Sequence, residues 1–206
     1  MNLVFDFGAV LFEWRPALLV QASFPAQAAT PEAAGELAGA IFHHPDWLEF
    51  DRGVLALDAV VGRTAQRLGL PQAAVQGLMS GVGERLMPMA DSVALLERLR
   101  RRRESCGDVR LYFLSNMPAP YARVLEQRHA FVGWFDGGIF SGDAKLIKPQ
   151  PAIFELLQSR YALDPAKTIF IDDLPANVQA ARDCGWKALH FESAAGLQRQ
   201  LQAHLG

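Results

Sequence analysis

Four places along the chain carry residue types that could do chemistry together. Asp6 follows the apolar run Leu3, Val4 and Phe5, and Gly8 comes almost at once, which lets the backbone leave strand geometry. Ser115 and Asn116 follow Val109 to Leu114, a run broken only by Arg110. Lys148 stands directly before Pro149, and Asp172 with Asp173 closes the run Thr168 to Ile171. Carboxylates brought together repel unless a cation neutralises them, and an all-oxygen cluster suits Mg²⁺, which keeps several waters and needs few protein ligands. A hydroxyl and an ammonium opposite can take phosphate oxygens, leaving a carboxylate to attack phosphorus. That chemistry is phosphoryl transfer.

Such a set works only if the fold delivers it to one edge. In open α/β sheets the ligand site lies outside the carboxyl ends of the strands, which is where Asp6, Ser115 with Asn116 and Asp172 with Asp173 fall in their runs, while Lys148 comes just after a short strand. From Asp91 onward the pattern alternates. It predicts helices over Val93 to Arg103, Pro120 to Ala130, Pro151 to Tyr161 and Ala176 to Cys184. Strands are expected at Val109 to Leu114, within Trp134 to Phe140, at Thr168 to Ile171 and at Lys187 to Phe191. This order calls for an α/β fold with a doubly wound, Rossmann-like parallel sheet. Residues 13–89 differ: they lack a β-branched strand run, are rich in Ala, Leu and Gln, and break at Pro25, Pro31, Pro45, Gly53, Gly69 and Pro88. They read as a helical insertion, with Thr30-Pro31 and Leu70-Pro71 marking two helix starts. The expected division is a core of residues 1–12 and 90–206 and an inserted helical unit of residues 13–89.

Composition narrows the function classes. Of 206 residues, 50 % are hydrophobic, and the formal net charge of −2 implies no basic face for nucleic acid. The one dense basic run, Arg98 with Arg100 to Arg103, follows a helical pattern and reads as a solvated helix C-terminus, where cations suit the dipole. Cys106 and Cys184 make neither a metal-ligand spacing nor a disulfide framework, so reduced thiols and a cytoplasmic location are expected. No secretory leader and no membrane span are expected either.

The four stations resemble, in order and spacing, the motifs of the haloacid dehalogenase-like hydrolase superfamily. Val4-Phe5-Asp6-Phe7-Gly8-Ala9-Val10-Leu11 looks like its first motif, Phe113 to Asn116 its second, Lys148-Pro149 its third, and Phe170 to Asn177 its fourth. The resemblance implies that Asp6 is a nucleophile, that Ser115 binds phosphate and that Lys148 is catalytic. It further implies that Asp6, the Gly8 carbonyl and Asp173 hold Mg²⁺, and that the insertion is a cap of the C1 type. Within the family the chain is most similar to small bacterial glucose-1-phosphatase-type enzymes, through Asp-x-Gly-x-Val, the segment Trp47 to Gly53 and the Asp-Asp-x-x-x-Asn pattern. The implied partner is a small phosphate ester, possibly a sugar phosphate, bound by a monomer or homodimer.

One position departs from the pattern. Most phosphatases of the family carry a second Asp two residues after the nucleophile as general acid and base, and here that position is Gly8. A positioned acid is worth about 10²–10⁴ in rate, so activity is expected to be weak or confined to good leaving groups. The gap keeps two alternatives open: a metal-independent 2-haloacid dehalogenase, and a catalytically weak binding protein of the same fold. Adjacent acids at 172 and 173 favour the metal site. Several roles stay open. Asp172 binds metal through water, orients Lys148 or caps the next helix; Asn116 contacts phosphate or satisfies its own turn; Asn177 supports the metal ligands from behind or simply opens a helix. Lys145 is the fallback for Lys148. Trp14, Trp47 and Arg52 are the substrate-binding candidates of the insertion.

Overall fold

The computed structural model describes residues Met1 to Leu205. At its centre is a five-stranded parallel sheet, ordered β3-β2-β1-β4-β5, built from β1 (Asn2–Phe5), β2 (Arg110–Ser115), β3 (Gly137–Phe140), β4 (Thr168–Asp172) and β5 (Lys187–His190). The two most apolar runs take the inner positions: Leu3, Val4 and Phe5 of β1 and all of β4 are buried, as a sheet covered on both faces requires. Side chains alternate between the faces. Leu3 and Phe5 join Leu111, Ile169 and Ile171 in one cluster, while Val4 joins Tyr112, Leu114 and Phe170 in the other. The second cluster is closed by Phe154 and Leu157 of one helix (α10, Pro151–Tyr161) and Val178 and Ala181 of another (α11, Pro175–Asp183).

Between β1 and β2 run α1 (Pro16–Ser23), α2 (Pro31–Phe42), α3 (Pro45–Asp51), α4 (Leu57–Leu68), α5 (Gln72–Ser80), α6 (Val82–Arg85) and then α7 (Ala90–Cys106). The chain leaves and re-enters the core along two paired segments, in which Glu13 N donates to Met87 O and Met89 N donates to Leu11 O, both at 2.8 Å. Thr30 caps α2 by accepting from Ala33 N, with Pro31 inside the first turn, as expected. Pro71 sits one place earlier than expected, at the N-cap of α5.

Four elements were not legible in advance: a four-residue helix (α9, Ser141–Ala144), a 3₁₀ turn at Ala130–Trp134 that follows α8 (Ala119–Arg128), a second 3₁₀ turn at Pro165–Lys167, and the C-terminal α12 (Ala194–Leu205). The arginines at the end of α7 have local partners: Arg101 pairs with Glu97, Arg102 with Asp108, Arg103 with Asp136, and Arg100 lies over the Trp134 ring. Both cysteines are free thiols. No helix among the described residues is long and apolar enough to cross a membrane.

Candidate active site

Register brings the acids together. Phe5 pairs with Ile171, and Asp6 N donates to Ile171 O at 2.9 Å, so Asp6 emerges beside Asp172 at the carboxyl ends of β1 and β4. Phe5 also pairs with Phe113, which sets Ser115, the last residue of β2, on the same edge. Ligand oxygens of Asp6, Asp172 and Asp173 lie within 4.8 Å of one another. Into this group comes Lys148, whose Nζ is 2.6 Å from Asp172 Oδ2 and 3.0 Å from Asp6 Oδ1, and whose side chain is 1 % exposed. Lys145 goes elsewhere, to the carbonyls of Gly53 and Gly142.

The supporting bonds say what each neighbour does. Asn116 donates from Nδ2 to Lys148 O at 3.0 Å and accepts from Lys148 N at Oδ1, 2.8 Å, so its amide is committed to the backbone of the lysine. Asn177 donates to both oxygens of Asp172, and Leu174 N donates to Asp172 Oδ1 at 2.8 Å. Asp172 therefore both orients Lys148 and receives the turn into α11. That leaves Asp6 and the half-buried Asp173 as the carboxylates with oxygens to offer a ligand. The turn after Asp6 is closed by the carbonyls of Phe7 and Phe12, and the Gly8 carbonyl is not used in it. The left-handed residue there is Ala9, with φ of 53°, not Gly8, so the backbone does not require glycine at position 8.

Electrostatics follow from burial. Asp6, 7 % exposed, is pushed up from 3.8 to about 7 mainly by burial, with Lys148 pulling it down and Asp172 pushing it up. Burial works against the Lys148 charge, and Asp172 and Asp6 together overcome it and raise the lysine. Asp173 is raised by burial and by Asp172. Three acids around one ammonium leave an excess of negative charge when all are ionised. A divalent cation at Asp6 and Asp173, with the Gly8 carbonyl available, fits this all-oxygen donor set.

Ser115 Oγ is buried without a hydrogen-bond partner, a polar group left free at the strand edge. Replacing it by Ala removes no hydrogen bond of good geometry, only a hydroxyl near enough to Asp6 to help hold its pKa down. The expected result is a melting temperature close to wild type, with a rise in the KM for the phosphate ester of about tenfold or more, the loss of one hydrogen bond to a charged group.

Among the described residues, Trp14, Trp47 and Arg52 make no hydrogen bond or ion pair with Asp6, Asp172 or Asp173. Trp14 meets Phe42 edge-on at 5.2 Å, Phe42 meets Trp47 at 4.6 Å, and Trp47 packs on Phe50 and near Tyr121. This aromatic chain ties α2 and α3 to α8. Arg52 pairs with Glu49 at 3.3 Å. One residue at the site escaped sequence reasoning: Asp51, at the end of α3, whose carboxyl lies where the charges of Asp6 and Lys148 act on it. It was read as part of the segment Trp47 to Gly53 and given no role, because nothing local marks it.

A carboxylate at the carboxyl edge of a doubly wound parallel sheet, held by a buried lysine and flanked by an acid pair, is an arrangement suited to hydrolytic chemistry. A model of the haloacid dehalogenase-like hydrolases matches residues 23–185, and the chain belongs to that family. The matched span holds Ser115, Lys148, Asp172 and Asp173 and begins after Asp6. The chain is 28 % identical over 203 residues to the sesquiterpene phosphatase astK of Aspergillus oryzae, covering 98 % of this chain and 95 % of that one. Among solved structures it is similar to a HAD family enzyme of Bacteroides thetaiotaomicron in complex with magnesium and inorganic phosphate, with TM-score 0.69, 19 % identity and 93 % of each chain covered. It is also similar to an L-2-haloacid dehalogenase of Xanthobacter autotrophicus, with TM-score 0.67 and 20 % identity, covering 98 % of this chain and 82 % of that one. At those identities the two structures speak to the fold alone.

Proposed function

We propose that the protein is a Mg²⁺-dependent phosphomonoester hydrolase acting on a small phosphate ester through an aspartyl-phosphate on Asp6. The observation that carries this reading is the cluster itself: three acids within 4.8 Å of one another around a single buried lysine, a charge arrangement that asks for a cation. The Asp6 carboxylate attacks phosphorus, Ser115 Oγ donates to a phosphate oxygen, and Lys148 holds Asp6 in place and offsets negative charge. Mg²⁺, when bound by Asp6, Asp173 and the Gly8 carbonyl, supplies charge neutralisation for the phosphoryl group. Asn116 positions Lys148, and Asn177 and Asp172 brace it from the other side. In this reading residues 13–89 cap a core of residues 1–12 and 90–206, and Trp14, Trp47 and Arg52 shape the substrate's surroundings by holding that cap together.

The dehalogenase alternative rests on Gly8, since a departing halide needs no proton. It does not account for the excess acids at 172 and 173. Parallel release assays separate the two. Inorganic phosphate would be followed from a panel that includes a sugar phosphate, an aryl phosphate and, because one relative is named for a sesquiterpene, a prenyl phosphate. Halide would be followed from 2-chloropropionate, both with Mg²⁺ and with chelator. Phosphate release that chelator suppresses is expected; chelator-insensitive halide release would replace this reading with the dehalogenase one.

A further inference from the structure

The family's usual acid is missing at Gly8, and the site as described has no group to protonate a departing alkoxide. Lys148 is held by two carboxylates, and Asp172 is saturated by Lys148, Leu174 and Asn177. Resting on the phosphatase reading above, we propose that the carboxyl of Asp51, carried in by α3, is the general acid and base of this enzyme in place of the absent residue at position 8.

Three observations fix the backbone of Asp51 at the sheet edge that carries the site. Ser141 Oγ donates to Asp51 O at 2.6 Å and accepts from Met117 N at 2.8 Å. Ser141 directly follows Phe140, the register partner of Ser115, so this bond pins the end of α3 one strand away from the phosphate-binding hydroxyl. Just beyond, Gly53 has φ of 74° and sits so close to Gly142 that a Cβ would lie 2.3 Å from the Gly142 carbonyl, and Lys145 Nζ bonds both residues' carbonyls. Trp47, one turn back on α3, and Phe50, next to Asp51, wedge the helix against Tyr121. The neighbouring acids of α3 are taken by other partners, Asp46 by Arg63 and Glu49 by Arg52, which leaves Asp51 as the acid of this helix with no ion-pair partner among the described residues and within reach of the charges of Asp6 and Lys148.

The surroundings suit a proton donor. Burial pushes the Asp51 carboxyl up to about 8, the Trp47 indole offsets part of that, the charge of Asp6 adds to it and Lys148 opposes it. Tyr121, the other titratable group facing Asp51, is itself held above its ordinary range by burial and by Asp51. A carboxyl that stays protonated near neutral pH can give its proton to an alkoxide. In the first step the Asp6 carboxylate forms its bond to phosphorus, the bond from phosphorus to the ester oxygen breaks, and that oxygen takes the Asp51 proton. In the second, water loses a proton to the Asp51 carboxylate as its oxygen attacks the phosphorus. The bond to Asp6 breaks, inorganic phosphate leaves and both acids return to their starting state.

The test compares kcat/KM of wild type and Asp51→Asn, both with Mg²⁺, on an alkyl phosphate and on 4-nitrophenyl phosphate. The expected loss is about 10²–10⁴-fold on the alkyl ester and far less on the nitrophenyl ester, whose leaving group needs no proton. With 4-nitrophenyl phosphate the variant should also show a burst of nitrophenolate, because hydrolysis of the phosphoenzyme has lost its base. Position 8 supplies a rescue: a Cβ there would meet nothing closer than Trp14 Cβ at 4.0 Å, so Gly8→Asp added to Asp51→Asn should restore turnover of the alkyl ester. Equal losses on both esters without a burst, or no loss on either, would overturn the assignment. A wild-type protein that releases phosphate from neither ester would overturn the phosphatase reading and this inference with it. A variant that has lost its fold, shown by circular dichroism, shifts the decision to the pH dependence of wild-type kcat/KM: a fall above about 8 on the alkyl ester that is absent on the nitrophenyl ester supports the assignment, and the same profile on both esters overturns it.

Discussion

Asp6→Asn is expected to lower kcat for phosphate release by about 10⁴-fold or more, since the variant keeps the shape of the side chain and loses the nucleophile. Its effect on stability should run the other way. Asp6 is held at about 7 in the folded protein against 3.8 ordinarily, so the folded state binds the proton more tightly than the unfolded one. Stability of the metal-free protein therefore falls as pH rises through the interval from 3.8 to about 7, and beyond it the ionised Asp6 is a standing cost. Asn cannot ionise. Above pH 7 the metal-free variant should melt higher than metal-free wild type, and the pH dependence of its melting temperature should be flatter. Added Mg²⁺ should raise the wild type and not the variant, because its binding favours the folded state only where the ligand carboxylate is present. A variant that melts lower than wild type at every pH would show that Asp6 is a structural anchor.

Lys148→Met should be costly in both respects. The lysine is the one cation between Asp6 and Asp172, and removing one partner of a buried ionic group leaves uncompensated charge, worth about 3–5 kcal/mol. For a chain of this length that corresponds to a melting temperature lower by roughly 6–20 °C. Activity should fall by about 10²-fold or more, as for the loss of one preorganised electrostatic group. Adding Asp172→Asn removes one of the stranded charges and should recover part of the stability and none of the activity. Recovery of activity in the double variant would show that Lys148 serves only to neutralise Asp172.

The parts of this site that could be read from the sequence are those that local pattern determines. Apolar runs ending in polar residues located the strand edges, because a strand covered on both faces must be apolar until it emerges. Asp6, Ser115 and Asp172 were placed in that way. Choosing Lys148 over Lys145 rested on a resemblance; the structure separates them by distance, with Lys148 between two carboxylates and Lys145 fastening Gly53 to Gly142. Asn116 shows the limit of local reading: its bonds run to the backbone of a residue far along the chain, which no spacing reveals. Gly8 looked like a conformational requirement, yet the left-handed residue is its neighbour Ala9. The helix α12 went unread although both of its signals are local: Leu197, Leu201 and Leu205 recur at helical spacing, and Ser193 caps its start by accepting from Gly196 N at 3.1 Å. Asp51 was the least visible, because its role depends on where α3 docks, and docking is fixed by Ser141, Gly142 and Tyr121, far along the chain from it.

The central claim is that phosphate passes through Asp6, and trapping tests it most directly. The Mg²⁺-loaded protein would be mixed with 4-nitrophenyl phosphate, quenched in acid during turnover, digested and analysed by mass spectrometry. A phosphoryl adduct on the N-terminal peptide, located at Asp6 and absent from Asp6→Asn, is the expected result. Phosphate release that continues in Asp6→Asn, or an adduct on another residue, would contradict it.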